Sequence, residues 1–265
     1  MKTEHPNIVE FEVYGEHALF SDPLMRLGGE KCSYQVPTYE ALKGILSSVY
    51  WKPTFIWRIL DVRVMNPIQT EVKGIRPIKY GEGKNDLAYY TYLKNCRYQV
   101  RACFDWNDNR PELCGDRNEN KHHCIARRMI EKGGRRDIFL GTRECQGYVE
   151  PCVFGNGAGA YDDLPELGFG LMYHGITYPD EAYSEETRRR MTARFWYPVM
   201  KNGVIHFLPP EVFDAFWSCW ADSNRRPHPY QKAVDAFTAY PFMPRKNLQS
   251  LVLQGIGGSS CVDVF

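Results

Sequence analysis

Ile8-Val-Glu-Phe-Glu-Val-Tyr-Gly15 alternates apolar and polar residues and then stops at a glycine. An alternation with a period of two is typical of a strand with one buried face, so residues 8–15 are predicted to form the first strand. Arg97-Tyr-Gln-Val-Arg-Ala-Cys-Phe104 repeats the pattern, with its apolar residues and Tyr98 on one face. The two runs are the first and third strands of the predicted fold.

An amphipathic helix is predicted between these strands. Apolar residues recur with helical spacing over residues 41–49, and Thr38 precedes them at the position of an N-cap. The helix is expected to end near Tyr50, because Pro53 disfavours helical backbone in the residue before it.

A second helix is predicted over residues 122–132, and Gly133 stands at its C-cap position. The region around the two helices contains further predicted elements. They are a second strand at 55–65, an inserted hairpin or mobile loop at 66–94, and a broken fourth strand at 137–140 and 147–149.

The resulting order, β-α-β-β-α-β over about 150 residues, predicts an α+β chain with a ferredoxin-like domain, the class that includes the RNA-recognition motif. We place this domain at residues 1–148. A small antiparallel sheet domain is predicted at 149–208, where Asn202-Gly203 between apolar runs is a strong hairpin signal. Residues 209–265 are expected to contain a helix beginning at Pro210 and a weakly ordered tail.

The composition is that of a globular protein without bulk charge. The 265 residues include 33 Lys and Arg and 32 Asp and Glu, for a net charge of +1, with 43% hydrophobic and 25% charged residues. Nine cysteines, an odd number in a long chain, favour reduced thiols. Neither a signal segment nor a membrane-spanning run is visible. We therefore expect a cytoplasmic protein with no membrane partner.

The near-zero net charge conceals a segregation of charge along the chain. Residues 121–136 contain six Lys or Arg and one acid, whereas residues 160–187 contain seven acids and no Lys or Arg. One interpretation of the basic run is a solvated helix face. The other is a surface that follows the phosphates of a nucleic acid, and its cations are Lys121, Arg127, Arg128, Lys132, Arg135 and Arg136.

A candidate catalytic group stands at the start of the second predicted helix. The positive end of the helix dipole disfavours a cation there, so His122 is expected to be able to accept a proton. The two helices of a ferredoxin-like sheet run antiparallel, which brings the end of the first to the start of the second. Tyr50 is thereby predicted to lie beside Lys121 and His122. The alternative is that Tyr50 only covers the core with its ring.

Metal chemistry has weaker support in the sequence. Zinc ligands could be assembled from Cys114, His122, His123 and Cys124, or from Cys145 and Cys152, but no Cys-x-x-Cys pair occurs. The chain also lacks a phosphate-binding Gly-x-x-x-x-Gly-Lys-Ser/Thr loop, a Gly-x-Ser-x-Gly elbow and a His-Glu-x-x-His motif. We predict no metal and no cofactor.

Several motifs resemble one known family. They are Ala18-Leu-Phe-Ser-Asp-Pro23, Gly28-Gly-Glu-Lys31, Val36-Pro-Thr-Tyr-Glu-Ala-Leu-Lys-Gly44, Tyr50-Trp-Lys-Pro53, Asp116-Arg-Asn-Glu-Asn-Lys-His122, Gly133-Gly-Arg-Arg-Asp-Ile-Phe-Leu-Gly141 and Arg143-Glu-Cys-Gln-Gly-Tyr148. In these residues the chain is similar to the type I-C (Dvulg subtype) fifth-family CRISPR-associated proteins of the RAMP superfamily. The similarity extends from about residue 8 to about residue 208.

The resemblance implies an endoribonuclease that cuts the repeat of the CRISPR precursor RNA beside its stem-loop. Such a protein then stays on the 5′ handle of the crRNA, in the type I-C interference complex with its backbone and large subunits. The family's catalytic positions fall on Tyr50, Lys121 and His122. The implied reaction is attack of a ribose 2′-OH on the adjacent phosphate, which needs no metal and leaves a 2′,3′-cyclic phosphate. Which of the three residues takes the first proton stays open.

Two other classes of function remain as alternatives. The main one is a non-catalytic subunit that binds the crRNA handle and relies on another nuclease. The other is a structural or zinc-binding module. The sequence contains nothing for or against cleavage of DNA.

Overall fold

The computed structural model describes residues 7–23, 25, 30–78, 81, 83–183 and 185–213. These residues lie in one compact unit, Met1–Asp214, and a second unit comprises Ala215–Phe265. The predicted helix that begins at Pro210 is therefore described only for its first turn. The rest of the predicted C-terminal segment lies outside the described residues.

The described chain contains twelve strands and five helical segments. The strands are β1 (Val9–Ala18), β2 (Lys31–Cys32), β3 (Phe55–Val64), β4 (Gln69–Ile75), β5 (Ala88–Trp106), β6 (Ile138–Phe139), β7 (Gln146–Pro151), β8 (Leu167–Gly168), β9 (Met172–Thr177), β10 (Thr192–Trp196), β11 (Val199–Lys201) and β12 (Val204–His206). The α-helices are α1 (Tyr39–Val49), α2 (Glu119–Glu131) and α3 (Glu185–Arg189), and two 3₁₀ helices span Pro111–Asp116 and Pro179–Glu181.

An antiparallel sheet dominates the fold. Its strand order is β6-β7-β1-β5-β3-β12-β11-β8, and β2 and β4 pair with β5 outside this path. The central strands β7, β1, β5 and β3 pair antiparallel with one another, whereas the two-residue β2 pairs parallel with β5. In the chain, helix α1 lies between β1 and β3, and α2 lies between β5 and β7. The prediction of a mixed chain of helices and strands is confirmed.

The core forms because both element types present an apolar face. Val9, Phe11 and Val13 of β1 are buried, as are Leu42 and Leu46 of α1. Alternate residues of a strand and every third or fourth residue of a helix share a face, so these side chains meet in one cluster. Their burial is the main source of the stability of the fold.

The predicted boundaries of α1 are confirmed, and those of two other elements are corrected. The Thr38 hydroxyl accepts a hydrogen bond from the Ala41 N–H at 3.2 Å, as expected of an N-cap. Strand β1, in contrast, continues past Gly15 to Ala18. Gly15 marks a close approach within the strand, because a Cβ there would lie 2.7 Å from a Leu140 methyl group.

Helix α2 begins at Glu119, three residues before its predicted start. Asn118 is the N-cap, and its side-chain oxygen accepts from the Lys121 N–H at 3.0 Å. Gly133 has a φ of +78°, in agreement with its predicted place at the end of the helix. The inserted hairpin is also confirmed, since β4 pairs with the first half of β5.

Residues 149–208 contribute to two sheets. Strand β12 pairs with β3 and so joins β11 and β8 to the main sheet, whereas β9 and β10 form a separate two-stranded sheet. The predicted hairpin at Asn202-Gly203 is confirmed, with φ of 46° and 78° at its two turn residues. The domain boundaries at 148 and 208 stay a prediction.

Candidate active site

The end of α1 and the first turn of α2 meet at one edge of the sheet. Tyr50 terminates α1, and its N–H donates to the Leu46 carbonyl at 2.8 Å. The Tyr50 hydroxyl lies 2.8 Å from Nδ1 of His122. The juxtaposition predicted from antiparallel helices is therefore found. The two residues are 72 positions apart in the sequence.

The imidazole of His122 is enclosed by aromatic rings. Its side chain has 0% exposure. The rings of Phe55 and Trp106 approach it with centroids at 5.3 and 5.8 Å, and that of Phe104 lies at 6.3 Å. Strands β3 and β5 supply all three rings. No solvent reaches the imidazole directly, so protons must enter or leave through its hydrogen-bonded partners.

The hydrogen bonds of His122 assign its tautomer. Nε2 lies 2.8 Å from the backbone carbonyl oxygen of Asp116. A carbonyl oxygen only accepts, so Nε2 carries a proton, and in the neutral ring Nδ1 is then the acceptor. The Tyr50 hydroxyl therefore donates to Nδ1. In this arrangement the Tyr50 hydroxyl can pass a proton directly to Nδ1 of His122.

Lys121 and Asp116 form the polar side of the site. The Lys121 side chain is half-exposed, and its ammonium group forms an ion pair with Oδ1 of Asp116. The other carboxylate oxygen accepts from the Thr54 hydroxyl at 3.0 Å. These two hydrogen bonds, that from Lys121 first, hold the pKa of Asp116 below its usual value.

Burial raises the pKa of the Tyr50 hydroxyl, and the negative charge of Asp116 raises it further. The positive charge of Arg135 acts in the opposite direction. Tyr50 is thus held in its protonated form near neutral pH. A proton can leave its oxygen only as another arrives there, which suits a relay better than a free tyrosinate.

The five cations predicted to bind RNA lie on and just after α2. We call them the basic face, which comprises Arg127, Arg128, Lys132, Arg135 and Arg136. All five are exposed. Within the described part of the chain none of the five forms an ion pair. Their charges are accordingly available to a ligand, and that of Arg135 also acts on the Tyr50 hydroxyl, whose pKa it lowers.

The residues considered as zinc ligands are not grouped as a metal site in the described part of the chain, and both histidines are hydrogen-bonded to other residues. His123 lies 3.0 Å through Nε2 from the Ile8 carbonyl oxygen, and His122 uses both ring nitrogens in the contacts above. Among the described residues, no three His, Cys, Asp or Glu side chains are grouped so that they could hold a metal ion. The seven described cysteines form no disulfide with one another. No described helix is both long and apolar enough to cross a membrane.

Two site residues were not predicted from the sequence. Asp116 belongs to the motif Asp116–His122, but the sequence assigns no chemical role to it, and no motif includes Thr54. The available signal for Asp116 was a carboxylate two residues before the N-cap Asn118, where it can reach the first turn of α2. Thr54 had no such signal, because its contact with Asp116 joins residues 62 positions apart.

Comparison with known proteins bears on the family. A family model described as CRISPR-associated protein (Cas_Cas5) matches residues 8–208. The chain belongs to the Cas5 family. The matched range contains Tyr50, Asp116, Lys121 and His122, so the whole described site lies within the Cas5 part of the chain.

Two named relatives and two solved structures resemble this Cas5 chain. A Mannheimia succiniciproducens protein named CRISPR pre-crRNA endoribonuclease Cas5d is 38% identical over 230 residues, covering 77% of this chain and 96% of the relative. A Thermus thermophilus protein of the same name is 37% identical over 152 residues, covering 54% and 63%.

The structures share the fold at similar identity. The crystal structure of a CRISPR-associated protein has 36% identity and a TM-score of 0.66, over 79% of this Cas5 chain and 95% of the other. A functionally uncharacterised protein of Streptococcus mutans has 38% identity and a TM-score of 0.63, over 77% and 93%. The mixed α/β fold of this chain is thus shared with these two solved structures.

Proposed function

We propose that this Cas5 protein is a metal-independent endoribonuclease that cleaves CRISPR precursor RNA in the repeat, beside its stem-loop. It then remains on the 5′ handle of the crRNA in the cytoplasm, as a subunit of the type I-C interference complex with the backbone and large subunits. The contact of Tyr50 with His122, beside the half-exposed Lys121, carries the proposal. Relatives named pre-crRNA endoribonuclease support the choice of substrate.

The fold supports the proposal through the placement of the two helices. Strands β7, β1, β5 and β3 with α1 and α2 have the order and connections of a ferredoxin-like unit, and we assign them to it. In this unit the helices cover one face of the sheet, and the site lies where they meet at its edge. The basic face continues along α2 from that edge.

In the proposed reaction the 2′-oxygen forms a bond to phosphorus and the bond from phosphorus to the 5′-oxygen breaks. The 2′-OH proton passes to the Tyr50 oxygen while the Tyr50 proton passes to Nδ1 of His122. The leaving 5′-oxygen takes a proton from solvent. Lys121 stabilises the added charge on the phosphorane with its ammonium group. The five cations of the basic face bind the flanking phosphates.

A second candidate function is a non-catalytic subunit that binds the crRNA handle. The complete burial of His122 favours it, because an enclosed imidazole cannot itself touch RNA. Under this alternative the basic face still binds phosphates, and the Tyr50–His122 hydrogen bond only joins the two helices. The two functions differ in whether the purified protein cuts RNA.

The test is cleavage of repeat RNA by the purified full chain in the presence of a chelator. The wild type is expected to cut once and leave a 2′,3′-cyclic phosphate, and His122→Ala is expected to bind RNA without cutting it. His123→Ala is the matched control, since His123 is the next residue and its ring hydrogen-bonds the Ile8 carbonyl, away from Tyr50 and Asp116. Replacing the 2′-OH at the cut nucleotide by hydrogen should stop cleavage. Cleavage of that deoxy substrate, or a strict metal requirement, would contradict the mechanism.

A further inference from the structure

We propose that Asp116 is a positioning residue of this site, which holds Lys121 with its carboxylate and orients His122 with its backbone carbonyl. The inference deepens the proposed function and rests on it. Asp116 ends the 3₁₀ helix Pro111–Asp116 and lies two residues before the N-cap of α2. From this position one residue contacts two of the three groups assigned to the reaction.

The first contact concerns Lys121. Its side chain is half-exposed, and a lysine in that setting samples many rotamers at little cost. The ion pair with Oδ1 of Asp116 limits this freedom. The Asp116 carboxylate is itself oriented by Thr54, which is buried and donates to Oδ2 at 3.0 Å. The buried Thr54 hydroxyl thus orients the Asp116 carboxylate, and the carboxylate in turn fixes the position of the Lys121 ammonium group.

The second contact concerns His122. The Asp116 carbonyl oxygen lies 2.8 Å from Nε2, and the same oxygen accepts from the Asn118 N–H at 2.8 Å. The carboxylate is also near, with Oδ2 3.5 Å from Nε2. The carbonyl therefore keeps the proton on Nε2 and leaves Nδ1 to the Tyr50 hydroxyl. When Nδ1 takes the Tyr50 proton, the carboxylate stabilises the resulting imidazolium.

Asp116 is the carboxylate whose negative charge acts on the Tyr50 hydroxyl in the described part of the chain. The groups that face the Tyr50–His122 pair from β3 and β5 are the aromatic rings of Phe55, Phe104 and Trp106. On the helical side the facing charges in the described structure are those of Lys121 and Arg135, both positive. Removing the carboxylate charge should lower the pKa of the Tyr50 hydroxyl, which the charge of Asp116 raises.

The experiment measures single-turnover cleavage of repeat RNA as a function of pH by the full chain. Asp116→Asn keeps the carbonyl and the side-chain shape but removes the charge. We expect cleavage to slow by on the order of tenfold to a hundredfold, and the pH profile to move to lower pH because the charge that raises the pKa of Tyr50 is gone. RNA binding and the melting temperature should change little.

Two further variants separate positioning from a general structural effect. Asp108→Asn removes the same charge from an exposed carboxylate, which pairs with Arg117 on the same loop, and should leave rate and profile unchanged. Thr54→Val keeps the Asp116 charge but loses its orienting bond, so the rate should fall severalfold while the profile stays in place.

An Asp116→Asn variant with the wild-type rate and profile would overturn the inference, as would an equal shift in Asp108→Asn. If Asp116→Asn melts far below the wild type, the cleavage rate of Thr54→Val becomes the test instead. An unchanged cleavage rate of Thr54→Val then overturns the inference. Failure of the wild type to cut RNA would instead refute the proposed function. The two failures are therefore distinguishable in one series of assays.

Discussion

Replacement of Tyr50 by phenylalanine removes one oxygen and leaves the packing of the ring. Tyr50 is 5% exposed and its ring lies 5.6 Å from that of Phe55, contacts that phenylalanine retains. The lost group is the hydroxyl that donates to Nδ1 of His122 at 2.8 Å. After the substitution Nδ1 is a buried acceptor without a donor, which costs about 1–3 kcal/mol.

The stability change should lie near the lower end of this range, because phenylalanine no longer requires the burial of a hydroxyl. A loss of about 1 kcal/mol lowers the melting temperature of a domain of this size by about 2–4 °C. The effect on the reaction should be much larger. If the hydroxyl passes the proton to His122, single-turnover cleavage slows by about 10²–10⁴-fold, and the affinity for repeat RNA is unchanged.

The assay compares cleavage under saturating protein with binding and thermal unfolding of the same preparation. Tyr14→Phe is the matched control, because its hydroxyl also bonds a side chain, Glu150, but at an exposed position. It should cleave like the wild type. Tyr50→Phe cleaving within a factor of about three of the wild type would refute the relay. A loss of cleavage that only follows a loss of folded protein would refute it too.

The remaining predictions concern the RNA surface and the fold. Each glutamine replacement within the basic face should weaken RNA binding and lower the slope of log affinity against log salt by up to about one. An unchanged slope would mean that the basic face does not bind RNA phosphates. Gly141→Ala should lower the free energy of unfolding in urea by about 1–3 kcal/mol, because Gly141 has a φ of +97° and a Cβ there would lie 2.0 Å from the Leu19 carbonyl oxygen. Gly44→Ala, in the open middle of α1, should instead stabilise by up to about 1 kcal/mol. The hydrogen bond to Asp61 raises the pKa of His206 above 6.5. The stabilisation from this pair should therefore be present below pH 6.5 and be lost as the pH rises through the raised pKa of His206. The melting temperatures of wild type and His206→Gln should accordingly converge at high pH.

Periodic patterns predicted the helices and central strands because each such pattern records which face is buried. The helical spacing before Tyr50 and the alternation after Ile8 both correspond to observed core faces. The predicted end of the first strand at Gly15 was wrong, because the sequence does not distinguish a glycine required by a neighbouring side chain from a glycine that ends a strand. The early start of α2 was missed because the cap of Asn118 is a polar signal outside the apolar run.

The site was predictable as far as topology determines it. Antiparallel helices bring Tyr50 to His122, and this needs no knowledge of side-chain rotamers. The bond of His122 to the Asp116 carbonyl depends on the path of the chain from residue 107 to residue 118, which has no periodic pattern. The contact of Thr54 with Asp116 likewise joins two segments without a periodic pattern, so nothing in the sequence indicates that they meet.

Strand β5 has a mechanical consequence for how this protein can vary in length. Its 19 residues run about 60 Å at 3.3 Å per residue, from the hairpin with β4 at one end to Trp106 beside His122 at the other. An inserted residue within the half shared with β1 and β3 would turn every following side chain to the opposite face of the sheet. An insertion at the hairpin tip would only extend the arm. Variation in reach is therefore tolerated at one end of the strand, while the other end keeps a fixed distance from the imidazole.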